Sequence, residues 1–150
     1  MAGFSKSEEK EQIYKNLGKP DSKVEKLFES MKDVYMMAFL LGALDEKKVP
    51  IKKKGDPIKD VYFDEDDKLL MDLVALDMTK DINILKKKED SNEYIHQLVE
   101  EYANGGIEKL EELFDGEYFD IDKFVSIIKG YEKVSKPKTV ELEDLFEFML

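Results

Sequence analysis

Met31-Lys-Asp-Val-Tyr-Met-Met-Ala-Phe-Leu-Leu-Gly42 decides the fold. From Val34 onward the segment is apolar on every face of a helix, and a helix apolar all round belongs at the centre of a domain. Ser30 supplies an N-cap, with Asp33 three residues on as a weaker form of the capping box. Three methionines, Met31, Met36 and Met37, suit irregular gaps in a core. A methionine-rich binding groove is the functional alternative, but burial is the ordinary use of such residues. The chain is therefore expected to be mainly α: a single-domain helical bundle over residues 1–150, built around a central apolar helix at about 31–43.

Composition is consistent with that centre. A chain of 150 residues fits one domain and can bury enough surface to fold without staples. It has no cysteine, which excludes disulfides, thiolate nucleophiles and cysteine-ligated zinc. Met1 to Lys10 lacks the apolar core of a signal peptide. The longest apolar run, Val34–Leu44, falls far short of the ~20 residues that span a membrane. The expectation is a soluble, cytoplasmic protein.

The net charge of −11 is unevenly spread. Residues 1–60 hold 13 lysines and 11 carboxylates, whereas residues 61–150 hold 11 lysines and 24 carboxylates. An acidic C-terminal part disfavours wrapping nucleic acid, since each phosphate contact needs a cation, and it suits a basic partner. All 24 cations are lysine. Without arginine the chain has no bidentate reader of phosphate or guanine.

Outward from the central helix, Ser5 and Glu8 form a capping box for a first helix over 5–17, which Gly18 stops. A short helix is expected at 22–29. Downstream, Val49-Pro50-Ile51, a lysine run, Gly55-Asp56 and Ile58 to Phe63 predict a small β-hairpin at about 49–63, confined by its prolines to an edge. Asp64 to Asp67 lead into a helix at about 66–78, and Ile82, Ile84 and Leu85 are candidates for packing beyond it. Ile95, Leu98, Val99 and Tyr102 make residues 91–103 an amphipathic helix, with Asp90 and Glu93 as a box-like start, and Asn104-Gly105-Gly106 is expected to break it. A short helix follows to Phe114. Asp120 caps another with Ile121, Phe124, Val125, Ile128 and Tyr131 inward. Ser135 to Lys138 reads as a linker, and Thr139 caps a last helix.

Few residues invite chemistry. Asp115 to Lys123 resembles the end of a calcium-binding EF-hand loop, but with Asp120 at the ninth position the twelfth is Lys123 and the sixth Glu117. The loop therefore lacks both its bidentate carboxylate and its glycine. Asp64, Glu65, Asp66 and Asp67 suit a helix start, where acids complement the dipole, better than a magnesium site. His96, the one histidine, points away from the Ile95–Tyr102 stripe with no second histidine to act with. Neither catalytic residues nor a metal or cofactor site are expected. The remaining candidate is a basic knob, Lys47, Lys48, Lys52, Lys53 and Lys54, suited to a phosphate or an acidic partner; lysines on an edge strand also block aggregation.

Phe28 to Gly42 followed by Val49-Pro50-Ile51, together with Glu100-Glu101-Tyr102-Ala103-Asn104-Gly105-Gly106-Ile107, resembles the signatures of the Dnd system-associated protein 4 family. The resemblance covers about residues 22–115 and leaves 116–150 as a C-terminal helical extension. It implies a protein encoded beside bacterial DNA phosphorothioation genes, whose systems exchange a phosphate oxygen for sulfur and restrict unmodified DNA. It implies no catalytic residue. The expected function is a non-enzymatic accessory or adaptor acting by protein–protein contact. The alternatives are an acidic DNA mimic or anti-restriction protein, DNA contact through the lysine knob, and an enzyme whose site has no short signature.

Overall fold

The computed structural model describes residues 3–18, 28–86, 89–116 and 118–135, with backbone alone for 89–91 and 132–135. The protein is mainly helical with one small antiparallel sheet. In chain order the elements are β1 (Gly3–Phe4), α1 (Glu11–Gly18), α2 (Met31–Leu44), β2 (Ile58–Lys59), α3 (Glu65–Thr79), α4 (Glu89–Glu112) and α5 (Ile121–Ser135). Single 3-10 turns precede α1 and α3, and a third joins α3 to α4. The chain divides into two compact units, residues 1–119 and 120–150. The expected helices at 22–29 and from Thr139, the 135–138 linker and the side chain of Asp90 fall largely or wholly outside the described residues.

The central helix forms where the sequence places it. The Ser30 hydroxyl accepts the Asp33 backbone N–H at 3.4 Å, and Val34, Tyr35, Ala38, Phe39 and Leu41 are buried almost completely. Around it an aromatic cluster closes the core, with Phe4 4.8 Å from Phe63 and Tyr35 5.9 Å from both Tyr14 and Phe63, between ring centres. The buried hydroxyl of Tyr35 donates to the Ser5 carbonyl at 3.1 Å.

Burial raises the pKa of both Tyr14 and Tyr35 well above the ordinary tyrosine value. A folded pKa raised above the unfolded one leaves stability intact below about pH 10 and withdraws it as pH climbs further, because the unfolded chain ionises first. An alkaline titration should show two tyrosines whose ultraviolet tyrosinate absorbance rises only together with loss of helical circular dichroism. A smooth titration of all seven tyrosines in the folded state would contradict this.

The principal packing is α2 against α4, and it corrects the reading of Asn104-Gly105-Gly106. These residues do not end a helix: α4 runs unbroken from Glu89 to Glu112, taking in the expected helix after the glycines. The glycines mark a helix crossing. A Cβ on Gly106 would lie 1.7 Å from the Ala38 carbonyl oxygen, and one on Gly42 would lie 1.9 Å from that of Tyr102. Glycine in a helix interior costs about 1 kcal/mol relative to alanine. Here the missing side chains let two backbones meet. Ile95, Leu98, Val99 and Tyr102 are buried as expected, and Ile107 and Leu110 continue the stripe past the glycines.

The sheet is present, but not as a hairpin over 49–63. β2 pairs with β1 in the register Gly3 with Lys59 and Phe4 with Ile58, and Ser7 bridges to Lys54. Pro50 and Pro57 lack the N–H groups a ladder needs. The backbone from Val49 to Gly55 bonds to other segments: the Glu8 N–H donates to Lys53 O at 2.9 Å, the Gly55 N–H to Lys6 O at 2.8 Å and the Val49 N–H to Glu101 O at 3.1 Å. Residues 47–57 thus form a strap lying between the N-terminal segment and α4. Ser5 does not cap the first helix either, because it is occupied in this layer and helical structure begins only at Glu8.

In α3, Met71 and Ala75 are buried, whereas Leu69 and Leu73 are 56% and 50% exposed. Ile84 packs below it while Ile82 is exposed. In the second unit Asp120 caps α5 as expected, accepting the Lys123 N–H at 3.0 Å. Ile121, Val125 and Ile128 stand exposed rather than inward. Periodicity identifies an apolar stripe, but burial also requires a surface to receive it.

Candidate interaction surfaces

The five lysines of the expected basic knob all lie on the strap or its approach, and all are exposed. The strap is held from several sides. Lys47 N–H donates to Gly42 O at 2.8 Å, and the Asn104 side-chain amide donates to Val49 O at 3.0 Å. The Glu11 carboxylate accepts the Asp56 N–H at 2.9 Å. Three of the lysines face carboxylates of the chain itself. Lys47 pairs with Glu108, Lys53 lies 3.0 Å from Glu8, and Lys54 lies 3.7 Å from Glu100. Lys48 and Lys52 have no such pair among the described residues. The knob is therefore a spatial group, but much of its charge is answered internally.

Beside the strap is a polar cluster that the sequence reading missed. Glu100 is 6% exposed on α4, and its carboxylate accepts the Ser5 N–H and faces Lys54 and His96, the latter at 3.5 Å. His96 is not the exposed residue expected of it. Its ring stacks on Phe4 at 4.4 Å, and Nε2 lies 2.7 Å from the Gly3 carbonyl. A carbonyl only accepts, so Nε2 carries the proton. A cleft of about 330 Å³ opens here, lined by His96, Glu100, Lys54 and Pro50 among others. Both ring nitrogens face groups of the chain, so the arrangement fastens β1 and the strap to α4. The four-residue spacing of His96 and Glu100, with both on α4, was the available sequence signal.

Lys6 is the other buried ion. At 4% exposure its ammonium donates to the Asp56 carbonyl, lies 3.6 Å from Glu11 and sits 6.0 Å above the Tyr14 ring. Burial lowers its pKa, against the opposing pull of Glu11. It borders a larger cleft of about 480 Å³, reaching Lys32 and Tyr62. Nothing in the sequence around Lys6 marks it as buried.

The acidic run behaves as a helix start. Asp64 accepts the Asp67 N–H at 2.8 Å and Asp67 accepts the Asp64 N–H at 3.0 Å, forming a reciprocal capping box. That backbone donor holds the Asp64 carboxyl below its ordinary pKa. Lys32 reaches Asp67 at 2.9 Å. In the stretch that resembles the end of a calcium loop, Asp115 accepts the Tyr118 N–H at 2.8 Å, a turn-forming use of the carboxylate; Glu117 lies outside the described residues. Among the described residues no group of three or more histidine or acidic side chains is placed to hold a metal ion. No helix among them is long and apolar enough to cross a membrane.

An apolar stripe faces outward on α3 as well as on α5. On α3, Leu69 and Leu73 are a turn apart, with Leu76 half-buried one turn further on. Exposed carboxylates of Glu65, Asp66 and Asp77 share this side of the helix, opposite Met71 and Ala75.

No curated protein and no solved structure matches this chain. The sequence profile of DNA sulphur modification system-associated protein 4 matches residues 4–148, a span that takes in α1 and α5 as well as the segments at 22–115. The chain belongs to the DNA sulphur modification system-associated protein 4 family.

Proposed function

We propose that the protein is a non-enzymatic accessory of a bacterial DNA phosphorothioation and restriction system, acting by contact with that system's proteins. Membership of the family supports the system. The outward Leu69–Leu73 face of α3 carries the mode of action, since apolar side chains aligned along one exposed helix face lose water on meeting a partner. The polar clusters around Glu100 and Lys6 support the same reading, because their charges are spent on joining segments. Affinity purification of the tagged chain from its native host is expected to recover proteins of the sulphur-modification system. Recovery of none of them would count decisively against this function.

A DNA mimic is favoured by the charge of −11. Imitation of a phosphate array calls for carboxylates in uninterrupted series, however, and on the outward face of α3 Leu69 and Leu73 stand between them. We rank it second. Direct DNA contact by the strap ranks third, since Lys47, Lys53 and Lys54 already face Glu108, Glu8 and Glu100.

A further inference from the structure

We infer that the outward face of α3 is a docking surface for a basic, amphipathic segment of a protein partner. The inference rests on the adaptor reading and specifies its partner's chemistry. Leu69 and Leu73 are half exposed or more, while Met71 and Ala75 hold the opposite side of the helix in the core. Two leucines at i and i+4, followed by Leu76 at i+7, repeat with the period of a helix, so their natural counterpart is another helix with apolar anchors at the same spacing.

Charge decides the flanks of that counterpart. Residues 60 to 81 carry eight carboxylates and two lysines. Asp60 and Asp67 are engaged by Lys68 and Lys32 within the chain, and the Asp77–Lys80 pair is too exposed to neutralise the surface much. Glu65, Asp66 and Asp77 therefore set a negative rim around the leucines. A negative rim repels nucleic acid and anionic lipid, and it repels the same face of a second copy. The lysine strap of a second copy is a poor counterpart, because residues 47–57 form no helix that could present apolar anchors at this spacing. A protein segment with leucine-like anchors flanked by lysine or arginine satisfies both the apolar stripe and the rim.

The test uses the full chain and a synthetic leucine–lysine helix of about five turns, with its leucines on one face, followed by fluorescence anisotropy. It should bind at least about tenfold more tightly than a scrambled peptide of the same composition, and the affinity should fall as salt is raised. Leu69→Ser with Leu73→Ser should weaken binding at least about tenfold while leaving the chain folded, since half or more of each residue is already in water. Should that variant unfold, Asp66→Asn with Asp77→Asn offers an independent check, expected to flatten the salt dependence. Equal binding of the scrambled peptide, full binding by the serine variant, or a dimer in sedimentation that the serine substitutions dissolve would each overturn the proposal. The same serine variant in the affinity purification separates the two ideas. Retained capture of system proteins removes this surface but spares the adaptor function, and capture by neither wild type nor variant removes the function while the peptide comparison still decides the surface.

Discussion

Gly106→Ala is expected to destabilise the protein by about 3 kcal/mol or more, even though alanine is the better helix former by about 1 kcal/mol. The new Cβ would stand 1.7 Å from the Ala38 carbonyl oxygen, and the Gly42 nitrogen lies only 2.7 Å from the same point. Both obstacles are backbone. A crowded side chain can change rotamer, but a carbonyl inside α2 can yield only if the two helices move apart. Such a movement would loosen Val34, Ala38, Val99 and Ile107 together, all of them almost fully buried. A loss of this size is a large share of the roughly 5–15 kcal/mol that holds a domain folded. Gly42→Ala should behave similarly, and the double substitution should cost less than the two added, because one separation relieves both clashes. Gly130→Ala provides the contrast. Its Cβ would meet nothing within 4 Å, so it should be neutral or stabilising by up to about 1 kcal/mol. Denaturant midpoints decide the matter, and a Gly106→Ala protein as stable as Gly130→Ala would refute the helix crossing.

The same glycines show which parts of the fold were legible in the sequence. α2 was readable because every cue agreed: an N-cap at Ser30, apolar residues on all faces and a glycine near the end. For α4 the local cues conflicted with the tertiary contact. Asn104-Gly105-Gly106 has the local chemistry of a stop, and only the presence of Gly42 within the other apolar helix hinted at two backbones in contact. The strap was misread for a related reason. Gly55-Asp56 resembles a hairpin turn when flanked by apolar residues, but the partners of that backbone are Lys6, Glu8 and Glu11, more than forty residues upstream. No local pattern encodes a pairing at that distance. α3 forms where its acidic start points, but nothing in its local sequence says that Met71 and Ala75, rather than the leucines, face the core. Of the interaction surfaces, the lysine group was visible as a run of charge. Glu100, Lys6 and His96 were not, because their roles depend on which distant segments lie over them.

Glu100→Ala is expected to cost about 2–3 kcal/mol and to release the strap. The carboxylate touches three parts of the chain at once: the Ser5 N–H behind β1, Lys54 on the strap and His96 on its own helix. The contributions differ. Lys54 has a side chain 64% exposed and regains water easily, so its share is small. The Ser5 N–H lies deeper, and truncation leaves it without its acceptor and opens a gap beside the His96 ring. Glu100→Gln keeps an oxygen for the Ser5 N–H but turns an uncharged amide toward His96 and Lys54, so it should lose about half as much. Strap release has its own readout, because the cleavage sites of trypsin lie on it. Lys52, Lys53 and Lys54 should be cut faster in Glu100→Ala under native conditions, well below the denaturant needed for global unfolding. Faster cutting with unchanged helical circular dichroism would identify local release. If Glu100→Ala matched wild type in both midpoint and cleavage rate, the cluster would not be what fastens β1 and the strap to α4, and the lysine run would owe its position to the strap's hydrogen bonds with Lys6, Glu8, Glu11, Gly42, Glu101 and Asn104.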